Sequence, residues 1–243
     1  MKRALVLVGS LLCGLLGGPL GLSAPGRATA TGCAGQAVAL VHDLALDGSS
    51  LAGLDAAIAA SGRCPRILEY DGRAALEESA SVIGAQLAAL GANEVVAFGA
   101  GSLVVRRAEQ LRALHVTRLI AVGALWRGTN LAQLGTLDQL SRDAGSYDTG
   151  LQLEHLLLDP ACAGCRDVIA GSDFLRRLTA GGIARPGLVD VLTRTDVLVD
   201  PWTSGWVSGA TNLVVQDVEP SRIVTHYELP DDAVIQRLVL GRL

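Results

Sequence analysis

Short runs of aliphatic and β-branched residues alternate along the chain with longer stretches whose apolar positions recur every three or four residues. The short runs are AVALV (37–41), RILEY (66–70), EVVAF (94–98), RLIAV (118–122), LVDVLT (188–193) and NLVVQ (212–216). Their length and composition predict strands. The intervening stretches at 50–61, 74–90, 102–114, 165–180 and 231–240 place Leu, Ile, Val or Ala on one helical face, which predicts amphipathic helices. Strand and helix in strict alternation predict an α/β fold, a mostly parallel sheet covered by helices on both faces. In such a sheet a site forms at the C-terminal ends of the strands. No repeat or linker interrupts the pattern, and 243 residues suit one domain with a continuous core.

Two segments stand outside the alternation. Residues 124–161 form a connection too long for a simple turn, and such connections are usually functional. Leu125, Trp126, Leu131 and Leu134 could line a pocket over the strand ends, and surface wrapping is the alternative. At the N-terminus, Lys2 and Arg3 precede an apolar run from Ala4 to about Leu22, and Ala28-Thr29-Ala30 follows with the small residues a signal peptidase requires. Residues 1–30 therefore read as a secretory signal peptide, leaving 31–243 as the folded domain. The run is broken by Gly14, Gly17, Gly18 and Pro19, which argues against a lasting membrane span.

Export changes the reading of the cysteines and charges. Cys33, Cys64, Cys162 and Cys165 remain after cleavage, an even number that predicts disulfides in an extracellular protein. Of three connectivities, Cys33 with Cys64 and Cys162 with Cys165 is preferred, because the first pair would tie the new N-terminus to the second strand. A metal or redox centre at Cys162-Ala163-Gly164-Cys165 is disfavoured: there is no second C-x-x-C, and none of His42, His115, His155 and His226 is close to it in sequence. Cleavage removes Lys2, Arg3 and Arg27 but no acidic residue, taking the net charge from -4 to about -7. That balance argues against a nucleic-acid partner.

The chemistry-bearing residues cluster at predicted strand ends: Val41-His42-Asp43-Leu44, Gly99-Ala100-Gly101-Ser102, Arg194-Thr195-Asp196 and, near the C-terminus, His226. Around them the segments CAGCRDVIAGSDFLRRLTAGG, VLTRTDVLVDPWTS and TNLVVQDVEPSRIVTHYELPDDAV resemble, in order and spacing, the secreted bacterial class 2 lipases of the actinobacterial type. The resemblance covers most of 33–243 and is strongest in the C-terminal half. It implies an α/β-hydrolase fold, hydrolysis of a small acyl ester or lipid, and no cofactor. It further implies that Asp196 and His226 are the acid and base of a triad in the order Ser, Asp, His. A hydroxyl attacks a carbonyl well only when an imidazole takes its proton and a carboxylate holds that imidazole in the useful tautomer.

Two departures fall on the other half of the site. The family's His-Gly at the end of the first strand is His42-Asp43 here, with Leu44 expected to supply one oxyanion N–H and Ser102 the other. Matching EVVAFGAGS to the family's G-H-S-x-G-G elbow puts Gly101 at the nucleophile and Ser102 one place late. The chain then reads either as an ester hydrolase using Ser102 as nucleophile or as an inactive homologue that keeps an acyl-binding cleft. In the second reading Ser102 merely caps the following helix.

Overall fold

Six parallel strands build the sheet: β1 (Ala37–Val41), β2 (Cys64–Leu68), β3 (Glu94–Phe98), β4 (Arg118–Val122), β5 (Leu188–Leu192) and β6 (Thr211–Val214). Their order across the sheet is β2-β1-β3-β4-β5-β6. The computed structural model describes Cys33, residues 35–130 and residues 162–243. The expected signal segment, Leu131, Leu134 and most of the long connection lie outside the described residues.

Both faces of the sheet are covered, and the alternation within each strand shows how. Val41, Val95, Ala97, Leu119 and Ala121 point into a core shared with α2 (Leu76–Leu90), α3 (Ala100–Leu111) and α4 (Asp173–Ala180). Leu40, Val96, Phe98, Ile120, Val122 and Val191 point the other way, onto α1 (Ala52–Ala60) and α5 (Ala233–Leu240). Strands buried on both sides need apolar residues at nearly every position, which is why their sequences read as continuous runs.

Several predicted boundaries move for local reasons. β2 begins at Cys64, two residues earlier than expected, because Cys64 pairs with Ala37 and is disulfide-bonded to Cys33. Its Pro65 is tolerated on an edge strand, where one row of N–H groups has no partner strand to serve. The helix expected over 165–180 is two pieces, since Gly171 adopts a positive φ of 89° and Ser172 then caps α4 by accepting from the Leu175 amide. Cys162 and Cys165 are joined within the first piece, their Cα atoms 5.3 Å apart. Most consequential, α3 starts at Ala100 rather than 102, so a single residue separates it from β3.

The chain passes from β1 outward to β2 and then returns to the other side of β1 to form β3. The loops leaving the C-terminal ends of β1 and β3 therefore diverge, and the crevice between them is where such sheets place a site.

A buried carboxyl group lies in the core. Asp190, in the middle of β5, is fully buried and accepts a 2.6 Å hydrogen bond from Trp126 Nε1, while its second oxygen is unpaired. Burial pushes its carboxyl up to about 7, against a smaller downward pull from the Trp126 hydrogen bond. The folded chain therefore holds a proton that the unfolded chain releases above pH 4 or so, and stability declines as pH rises toward neutrality. Asp190→Asn is expected to remove roughly 2 to 4 kcal/mol of that pH dependence, measured by chemical denaturation of both proteins between about pH 4 and pH 8.

Candidate active site

The turn between β3 and α3 is made by Gly99 alone, at φ 53° and ψ -127°. Few residues tolerate that conformation, and a sharp strand-to-helix turn of this kind is where hydrolases of similar architecture expose a nucleophile. The Gly99 amide donates to Val122 O at 2.9 Å, anchoring the turn to β4. Ala97 and Gly101, two places to either side, are the small residues that let the turn close. Gly101 is pressed against the end of β1: a Cβ there would run into the carbonyls of His42 and Val41. That close approach brings the residue after His42 up to the turn.

The residue is Asp43. Its Oδ1 accepts from the Ala100 amide at 2.6 Å, and its Oδ2 lies 3.0 Å from His226 Nε2. A Cβ added to Gly99 would fall directly on the Asp43 carboxyl carbon and both its oxygens. The carboxylate thus occupies the space that a side chain on the turn would fill, and takes the first N–H of α3 as well. His42 supports it: its Nδ1 lies 2.8 Å from the Asp43 carbonyl oxygen, and its ring stacks on Tyr70 at 4.3 Å. Tyr70 in turn donates its hydroxyl to the His42 carbonyl at 3.1 Å.

On the other side of the imidazole, Asp196 Oδ2 lies 2.8 Å from His226 Nδ1. Asp196 Oδ1 accepts from the amides of Leu198 and Val199, both at 2.8 Å, so the loop after β5 fixes the carboxylate before it meets the ring. His226 is buried and stacks on Phe98 with ring centroids 5.0 Å apart. Burial by itself would push the imidazole down. The hydrogen bonds to Asp196 and Asp43 outweigh it and raise His226 to about 9. The imidazolium therefore persists through neutral pH, and its stabilising contribution, complete below about 6.5, is lost as pH rises through about 9.

These contacts correct the expected placement of the elbow. Gly101 does not hold the nucleophile position, because it lies inside the first turn of α3 with its α-carbon facing the β1 backbone. Ser102 is fully buried, and its hydroxyl donates to Ala97 O at 3.0 Å, away from His226. Nor is its amide free for an oxyanion, since it donates to Gly99 O at 3.1 Å. The amide at the turn is that of Ala100, and Asp43 occupies it. Leu44 lines the neighbouring cavity. The missed signal is the stretch Ala97-Phe98-Gly99-Ala100-Gly101, which is the small-x-nucleophile-x-small pattern with glycine at its centre.

The array faces a cavity of about 270 Å³, with Leu125, Val168, Ile169 and Leu198 on its walls and Asp43 and His226 at its polar end. Trp126, expected as lining, is instead buried in the core on Asp190. Among the described residues, no group of three His, Cys, Asp or Glu side chains could hold a metal ion.

No protein-family model and no curated protein matches the sequence. Solved structures do. The mature lipase BlEst2 of Bacillus licheniformis superposes with a TM-score of 0.62 at 11% identity, over 86% of this chain and 91% of that one. Lipase B of Aspergillus fumigatus gives 0.61 at 16% identity, over 82% of this chain and 52% of that one. The haloalkane dehalogenase DatA of Agrobacterium tumefaciens gives 0.56 at 11% identity, over 85% and 88%. The chain has the α/β-hydrolase fold. In this chain the strand-to-helix turn carries no side chain, and the Asp43 carboxylate from the β1 loop fills the space beside it.

Gly99 and Asp43 should therefore be energetically coupled. Gly99→Ala is expected to destabilise by about 3 kcal/mol or more, through backbone strain and collision with the carboxylate. In an Asp43→Gly background the collision is gone and the cost should fall by at least about 1 kcal/mol. Urea denaturation of the four proteins of the cycle measures the difference.

Proposed function

We propose that the protein is an exported relative of the class 2 lipases that does not hydrolyse esters through a serine, and that its site is a pocket for a small apolar acyl or lipid-like molecule. The observation that carries this reading is the Asp43 carboxylate on both His226 Nε2 and the Ala100 amide. Serine hydrolysis needs a hydroxyl beside that nitrogen, and free amides where negative charge develops. Among the described residues the partner of His226 Nε2 is the Asp43 carboxylate rather than a hydroxyl, and the Ala100 amide serves a group already negative. An oxyanion formed at this place would face a carboxylate rather than a donor. Loss of a triad nucleophile alone costs on the order of 10⁶ in turnover.

Export is part of the same proposal. It is supported by the leader-like residues 1–30 and by the Cys33–Cys64 and Cys162–Cys165 disulfides, which persist in oxidising compartments. No helix among the described residues is long and apolar enough to cross a membrane. The apolar cavity walls favour an uncharged molecule, and the net negative Asp43–His226–Asp196 array disfavours a free carboxylate at the polar end.

The reading is tested by rebuilding the missing parts. Wild type should neither hydrolyse p-nitrophenyl butyrate above background nor be labelled by a fluorophosphonate. Asp43→Gly combined with Gly99→Ser frees the amide and puts a hydroxyl beside His226. It should raise hydrolysis at least about 10³-fold, while Ser102→Ala should not change it. A wild type that is labelled, with labelling lost in Ser102→Ala, would overturn the proposal.

A further inference from the structure

The cavity wall carries a reactive group that neither ester hydrolysis nor passive binding uses. Cys165 lines the cavity together with Asp43, Leu44 and His226, while its disulfide partner Cys162 is not among the lining residues. An occupant of the cavity therefore meets one half of the disulfide and not the other. The Cys165 amide donates to Cys162 Sγ at 3.2 Å, so negative charge left on that sulfur has a donor already in place. Thiol–disulfide exchange is faster when the departing sulfur is the better stabilised thiolate, and it depends on which of the two sulfurs can be reached. Both conditions favour attack at Cys165 with Cys162 released.

The fold does not lean on this disulfide as it leans on the other. Cys33 and Cys64 are 31 positions apart and Cys162 and Cys165 only 3, and a short loop restrains the unfolded chain less. Other contacts hold the segment. The Gly164 amide donates to Arg73 O at 3.2 Å, Asp167 Oδ2 accepts from the Leu76 amide at 2.8 Å, and the Ser172 hydroxyl donates to the Asp167 carbonyl at 2.6 Å. Gly164 is seated so closely that a Cβ there would run into Ala74 O and the Leu44 side chain. Opening the disulfide leaves these contacts, and with them the cavity wall, in place.

We infer that the cavity captures small uncharged thiols as a mixed disulfide on Cys165, with Cys162 as the sulfur released. The inference rests on the reading above that the cavity takes small apolar molecules, and it names a chemical class for them. The thiol gives its proton to water and its sulfur attacks Cys165 Sγ. A new S–S bond forms to the ligand, the Cys162–Cys165 bond breaks, and the electron pair of that bond stays on Cys162 Sγ beside the Cys165 amide. The ligand sulfur is oxidised as Cys162 is reduced, so no further oxidant or reductant takes part. Return attack of Cys162 on Cys165 expels the thiol again. Capture is thus reversible, and it persists only where the walls hold the rest of the ligand. Leu125, Val168, Ile169 and Leu198 suit an alkyl chain, and the net negative Asp43–His226–Asp196 array disfavours an anionic thiol.

The test incubates the wild-type protein with 1-butanethiol, adds excess iodoacetamide to trap whichever cysteine has been released, and maps the products by peptide mass. Cys33 is exposed and reports on indiscriminate exchange within the same molecule. Butanethiol should be found on Cys165 with the carbamidomethyl group on Cys162, exceeding modification of Cys33 by at least about 10-fold, since burial of the butyl chain favours the cavity. The anionic 2-mercaptoethanesulfonate should show no preference for Cys165 over Cys33. Butyl methyl sulfide, which has no thiol, should bind in ligand-observed NMR and protect Cys165 but not Cys33. Butanethiol on Cys162, equal modification of Cys33 and Cys165, or a yield at Cys165 that the sulfide does not lower would each overturn the inference. Binding of the sulfide with no thiol adduct would overturn capture and leave the binding-pocket reading standing. Absence of both would overturn the two together.

Discussion

The carboxylate of Asp43, held at once by the Ala100 amide and by His226, is the contact on which the rest of the site depends. It accounts for three features that are otherwise unrelated. Gly99 must lack a side chain because Asp43 fills that space. His226 can stay protonated while buried because a second carboxylate joins Asp196 in compensating the cost of its desolvation. The apolar cavity ends in a negatively charged array because two carboxylates surround one imidazolium.

That contact is a product of topology. Only at the point where the strand order reverses do the loops after two adjacent strands separate and leave room between them. Asp43 follows β1 and Gly99 follows β3, and these strands are neighbours in the sheet. The close fit of Gly101 against the carbonyls of Val41 and His42 sets the distance between the two loops, and the stacked His42–Tyr70 pair stiffens the end of β1. The site is built on rigid elements, with each carboxylate tied to backbone amides before it reaches the ring.

How much of this was legible in the sequence follows from the physical scale of each signal. Periodicity over ten or more residues makes burial visible, so the sheet and its covering helices can be read, and three strands have the bounds their apolar runs suggest. That Asp196 and His226 come together is consistent with motifs spread over long segments. The register of the elbow is carried only by the short pattern Ala97-Phe98-Gly99-Ala100-Gly101, and it is easily misplaced because it hangs on a one-residue turn. The helix pattern of VVRRAEQL runs back unbroken through Gly101, and the spacing of its apolar positions does not mark Ala100 as its first residue. Two residues of displacement were enough to put Gly101 and Ser102 at the centre in place of Gly99. Asp43 stands out in the sequence as the residue in place of the glycine of the resembled pattern, but its partnership with His226 spans 183 residues and is visible only in three dimensions. Trp126 likewise reads as pocket lining until its indole N–H is found on Asp190.

The central claim is that Asp43 and His226 form a charged pair, and the imidazole itself reports on it most directly. Nitrogen-15 NMR of His226 across a pH titration should show a doubly protonated ring through neutral pH, with the transition near about 9, and Asp43→Asn should move that transition down. A wild-type ring that titrates near its ordinary 6.5 and does not respond to Asp43→Asn would contradict the account.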